Sequence, residues 1–170
     1  MPEQQRIDAV LDYWFGELTD DGMASDGKQS LWVQPQAGTD DDIRSRFGDD
    51  VQRALDGKLA SWTSTPRGSI ALVLLLDQFP RNIYRGQRRC FARDGRARYL
   101  MRDGMSRLMD LELSPIERSF FYMPLQHSEF LEDQESSVAR YEQLLREVDT
   151  TLRPEFESFL AGGGETFGQR

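Results

Sequence analysis

Two short stretches gather the side chains able to move a proton or hold an anion. Asp77, Gln78, Arg81, Asn82 and Arg85 follow directly on the apolar run Ile70 to Leu76, and His127, the only histidine, sits with Ser128 and Glu129 just past Pro124. A carboxylate beside an imidazole suits general acid–base chemistry, because it orients the ring and favours its charged form. Arginine presents a planar fork of donors matched to carboxylate or phosphate. Asp77, His127 and Glu129 are therefore the catalytic candidates. Asp77, Gln78, Arg81, Asn82, Arg85, His127, Ser128 and Glu129 are the ligand-binding candidates. A plainer reading stands beside this one: Arg81 and Asn82 satisfy the last carbonyls of a buried helix, Asp77 pairs with Arg81, and His127 ties one helix end to another.

Other chemistries fit poorly. A metal centre needs three or four ligands, and one histidine with scattered carboxylates does not supply a recognisable set. Ser128 and His127 are sequence neighbours, so on a helix they point about 100° apart and do not share a proton as a nucleophile and base must. Cys90 lies between Arg89 and Phe91 without a nearby base, and as the sole cysteine it excludes an internal disulfide. Trp14, Trp32, Tyr84 and Tyr122 could line a groove or simply fill the core. No cofactor is implied.

Charge is unevenly spread. From Arg81 to Arg107, nine arginines stand against Asp94 and Asp103, a local +7 that leaves −15 on the remainder of a chain whose net charge is −8. The spacing of Asp94 with Arg98, and of Asp103 with Arg107, is that of solvated helix pairs. The functional reading of the same stretch is a site for an anionic small molecule or a peptide end, with Arg81 or Arg85 as the binding group. Long nucleic acid is a poor partner, because the acidic remainder repels its backbone. The apolar run Ile70 to Leu76 is far shorter than the roughly 20 residues of a membrane span, and no basic-then-apolar leader opens the chain, so a cytoplasmic, membrane-free protein is expected.

The elements that must position these residues read as helices. Ile7, Val10, Leu11 and Trp14 share one helical face before Gly16; residues 17 to 39 read as a surface loop pinned by Trp32; Ile43, Phe47, Val51 and Leu55 repeat every four residues. Thr65-Pro66 caps a third helix, whose apolar run belongs at the centre of the fold and which should end or kink at Phe79, before Pro80. Asp94 should cap a helix carrying Ala97, Leu100, Met101, Gly104, Met105 and Leu108. Ser114-Pro115 with Glu117 forms a capping box, and Pro124 interrupts the helix it starts. Ser128 should cap the next, with Val138, Tyr141, Leu145 and Val148 inward, and Arg153-Pro154 opens a short last helix before the Gly162-Gly163-Gly164 tail. The expectation is a single all-α domain of six or seven helices over residues 1–161, with a tail over 162–170.

Three motifs also carry a resemblance. Val10 to Gly16, Leu75 to Gly86 and Phe121 to Glu129, in that order and at similar spacing, resemble the mostly bacterial family called domain of unknown function 924. The resemblance implies a tetratricopeptide-repeat-like helical superhelix and no established activity. It also implies a missing part: members usually carry, before their C-terminal tail, a helix with another histidine and a segment of the type Phe-Gly-Arg-Phe-Pro-His-Arg-Asn, whereas here Val148 leads straight to Pro154. A missing helix would uncover apolar surface, so a homodimer is expected, or a tail folded back through Phe167. Two functions remain: a binding module for an anion in a polar cleft between the two motifs, and a small enzyme in which His127 is general acid or base while Arg81 neutralises an anionic substrate.

Overall fold

A computed structural model describes residues 1–25, 27–33, 37–91 and 93–148 of the chain. Its helices are α1 (Glu3–Phe15), α2 (Lys28–Val33), α3 (Ala37–Leu55), α4 (Pro66–Asp77), α5 (Phe79–Ile83), α6 (Asp94–Ser106), α7 (Pro115–Phe121), α8 (Met123–Gln126) and α9 (Leu131–Glu147), with 3-10 turns at Ala60–Ser64, Arg88–Phe91 and Met109–Glu112. No strand occurs among the described residues, so the fold is all-α. α4 with α5, and α7 with α8, are each one rod bent at a single residue that keeps right-handed helical angles, Gln78 and Tyr122. Seven rods result. Each bend lies two residues before a proline, Pro80 and Pro124, whose missing N–H breaks the ladder there.

α4 is the axis. Its start is fixed by Thr65, whose hydroxyl accepts the Gly68 N–H at 3.0 Å, and by Pro66 at the first helical position. Every residue from Gly68 to Asp77 is buried, and α1, α3, α6 and α7 all pack against this helix. A rod apolar on all sides can be satisfied only by neighbours on all sides. The Ser114–Glu117 capping box closes reciprocally at 3.0 and 3.3 Å and launches α7 alongside it. An aromatic cluster fills one flank, with Trp14 stacked near Trp32, Phe79 and Phe120.

Five expectations need correction. Leu108 is not on the inner face of α6: the helix ends at Ser106, and Leu108 takes a left-handed turn at 62% exposure. The stretch read as a loop contains α2 and the start of α3; Trp32 does pin it, buried against Trp14 with its indole N–H on the Trp14 carbonyl at 3.0 Å. Asp94 does not cap α6, since Arg93 holds that position without a side-chain bond, and Asp94 turns inward instead to Arg81. Ser128 does not cap α9, because the helix starts two residues later with Phe130 at the cap; its hydroxyl donates to Asp133 and accepts the Phe130 N–H at 3.2 Å. Val138 faces outward at 58% exposure; the inner face of α9 is Asp133, Ser137, Tyr141 and Leu144, with Leu145 partly buried against the core and Val148 buried just past the helix end, a more polar set than apolar periodicity alone selects. The helix expected at Arg153-Pro154, the boundary at 161 and the tail lie outside the described residues.

Two glycines test how tightly α4 is held. A Cβ on Gly68 would run into the Trp62 carbonyl oxygen, a backbone atom that cannot swing away, whereas one on Gly48 in α3 meets nothing within 4 Å. Gly68→Ala should therefore lose about 1–3 kcal/mol of unfolding free energy, and Gly48→Ala should gain about 0.5–1 kcal/mol. Urea unfolding of both variants checks the opposite signs.

Candidate functional site

The bend at Gln78 leaves Asp77 as the last residue of α4, wholly buried, while the bend at Tyr122 brings the end of α8 and His127 against it. His127 Nδ1 lies 2.8 Å from Asp77 Oδ1, Gln78 Nε2 donates to Oδ2 at 2.8 Å, and Arg81 Nη1 reaches Oδ1 at 3.3 Å and also the Asp77 carbonyl. Burial would push the Asp77 carboxyl up, but the His127 and Arg81 charges and the bonds from His127 and Gln78 outweigh it and hold the group below its ordinary value. An ionised carboxylate only accepts, so Nδ1 carries the proton in this contact.

Arg81 is spoken for on both sides. Beyond Asp77 its fork grips Asp94 at 3.1 and 3.0 Å, and its guanidinium lies 5.2 Å from the Phe91 ring centre. Burial alone would lower its pKa, yet Asp77 and Asp94 raise it. Asp94 thus joins the site from α6, 13 residues further along the chain, in place of the expected pairing with Arg98. Arg98 instead approaches Asp133, at 3.7 Å, as does Arg102.

The other candidates separate from this core. Ser128 stays next to His127 in sequence but donates to Asp133 of α9. Glu129 is exposed, and the carboxylate facing His127 is that of Asp77. Asn82 and Arg85 turn to Asp40 of α3, at 3.0 Å for Asn82 and at 2.7 and 3.0 Å for Arg85. Asn82 therefore makes an inter-helix bond rather than a cap on the carbonyls of α4. Tyr141 is the neighbour that apolar patterning classed only as core. Its hydroxyl donates to the Ser119 carbonyl at 2.5 Å, and burial, with the charge of Asp77 adding to it, pushes its pKa well up. Next to it, Tyr122 donates to Asp110 at 2.5 Å, and burial together with that bond raises its pKa to about 12. Asp40 and Asp133 carry no signal in the sequence beyond being acidic, and the signals on Asp94 point to a cap and to Arg98 rather than to Arg81; the burial of Asp133 and Ser137 on the inner face of α9 is what marks that face as polar. Among the described residues no group of three or more His, Cys, Asp or Glu is placed to hold a metal ion.

The sequence profile of the bacterial proteins of unknown function called DUF924 matches residues 10–163, a span that contains every residue of this cluster. The chain belongs to the DUF924 family. A solved structure of a protein of unknown function from Agrobacterium tumefaciens is similar to this DUF924 chain at 26% sequence identity and a TM-score of 0.74, covering 99% of this chain and 87% of that one. No curated protein matches this DUF924 sequence.

The buried pair has a pH signature. An unfolded aspartate titrates near about 3.9, and the folded Asp77 lies below its ordinary value, so the unfolded chain takes up the proton first. Its contribution is complete above about pH 5 and drains away as pH falls through the folded pKa. Asp77→Asn should destabilise the protein by about 3–5 kcal/mol at pH 7, with the gap to wild type narrowing below about pH 4. Urea unfolding from pH 7 to pH 3 measures it, and a constant gap would contradict the assignment.

Proposed function

We propose that the protein is a binding module that holds an anionic small molecule or a peptide carboxylate on the arginine-rich turn leaving α5, rather than on Arg81 itself. The observation that carries this reading is the division of the arginines into two groups. Arg81, Arg98 and Arg102 are matched by Asp77, Asp94 and Asp133, whereas Arg88, Arg89 and Arg93 stand exposed on the turn between α5 and α6, beside a half-exposed Arg85. Arg89 is held over the Tyr84 ring, 4.3 Å from its centre, with a hydrogen bond to the hydroxyl at 3.3 Å. A pre-positioned guanidinium loses less freedom when it grips an anion. The cytoplasm is the proposed compartment, since a chain with one cysteine has no internal disulfide to preserve.

A second reading is favoured by one specific contact, the 2.8 Å bond from His127 Nδ1 to Asp77, which orients an imidazole as a general acid or base. In that version the arginine turn gathers an anionic substrate and His127 moves a proton.

Citrate and a short peptide with a free C-terminus are suitable probes in a thermal-shift titration. Binding to the folded state alone adds about 2.7 kcal/mol at a hundredfold excess over Kd, so the melting temperature should rise. Arg89→Ala should abolish the rise, while Arg107→Ala, whose arginine pairs with Asp103 at 2.7 Å, should leave it intact. Equal shifts in the two variants, or none in wild type, would contradict the proposal.

A further inference from the structure

His127 is only 4% exposed and Asp77 0%, so whatever reaches this pair must first find a part of the fold that moves. α8, which ends at His127, is packed between α6 and α9. From α9, Gln134 Nε2 donates to the carbonyls of Gln126 at 2.9 Å and Ser128 at 2.6 Å, one on each side of His127. Tyr141, two turns further along α9, is buried and donates to the Ser119 carbonyl. α9 is thus the outer cover of the His127 segment.

Its attachment differs in kind from that of α4. Asp133 is held by Arg98, Arg102 and the Ser128 hydroxyl, and Glu147 is held by Arg118 at 2.5 Å. Of the described residues on the inner side, Leu144, Val148 and the partly buried Leu145 are wholly apolar, while Leu131 and Val138 point outward at 73% and 58% exposure. Polar contacts exchange for water with little net loss once both partners are solvated, whereas buried apolar area resists separation. Residues 128 to 130, immediately before α9, are non-helical, and Phe130 is extended, which provides a hinge.

We propose that α9 is a displaceable lid over the Asp77–His127 pair, clasped at one end by Asp133 to Arg98, Arg102 and Ser128 and at the other by Glu147 to Arg118. Opening the lid exposes His127 to solvent while α4 and the helices around it stay folded. The idea stands on the packing of α9 and not on the anion site at the arginine turn.

The single histidine supplies the readout. Carbethoxylation of His127 by diethyl pyrocarbonate is followed by mass spectrometry, with amide exchange of α4 in the same sample reporting global unfolding. In wild type, His127 should react faster than the α4 amides exchange open, and low urea should barely change its rate, as for a local opening. Asp133→Asn should speed the reaction by about tenfold or more, the scale of one charge-assisted hydrogen bond. Asp103→Asn, which breaks an exposed pair elsewhere, should not. Should Asp133→Asn fail to fold, wild type at rising sodium chloride decides alone: faster reaction of His127 with α4 exchange unchanged supports the lid. A His127 rate that follows α4 exchange at every urea and salt concentration would overturn it.

Discussion

A carboxylate with no access to water must be surrounded by donors, and Asp77 imposes that requirement on everything near it. The requirement arises because α4 is apolar from Ile70 to Leu76 and ends on an acid, so the charge at its C-terminal end is delivered to the interior. Leaving such a group unpaired would cost several kcal/mol, which is the order of a domain's whole stability. Three donors answer it: Gln78 next in sequence, Arg81 one turn on, and His127 from a different rod. Arg81 faces the carboxylate by its i, i+4 spacing alone. His127 reaches it through the bend at Tyr122, before Pro124, which turns the end of α8 toward Asp77.

Arg81 then passes the problem outward. Bound to one buried acid, it takes a second, Asp94, from α6, and the same pattern recurs where Asp133 of α9 answers Arg98 and Arg102. The local arginine excess is therefore largely neutralised by acids brought together by folding. What remains is a short exposed turn at the edge of α5. The interior half of the cluster fixes how α4, α6, α8 and α9 meet, and the exterior half is the proposed place for an anion. Ion pairs of the interior kind add specificity of arrangement more than stability, because desolvation offsets much of their attraction.

The residues that announced themselves in the sequence are those whose local chemistry is complete within a few positions. Thr65-Pro66 and the Ser114–Glu117 box fix helix starts because a hydroxyl three residues from an amide has one use there. The run Ile70 to Leu76 could only be central. The meeting of the two polar motifs was legible too, since both follow apolar segments broken by proline. Other features depend on partners far away in sequence. Asp94 and Ser128 look like caps by spacing, but Arg81 draws Asp94 away from the helix start, and Ser128 bridges Asp133 to the Phe130 N–H ahead of the helix. Val138 has the apolar character of an inward residue, yet α9 turns its polar edge inward because Arg98, Arg102 and the Ser119 carbonyl wait there. α2 is too short to hold a helical period and owes its place to the packing of Trp32.

The central claim is that Asp77 and His127 act on each other as one buried unit, and a double-mutant cycle on unfolding free energy tests it most directly. Asp77→Asn, His127→Asn and the double variant are compared with wild type at neutral pH. The account predicts a coupling of about 1–3 kcal/mol, the double variant losing clearly less than the sum of the single losses. Losses that add to within about 0.5 kcal/mol would contradict it.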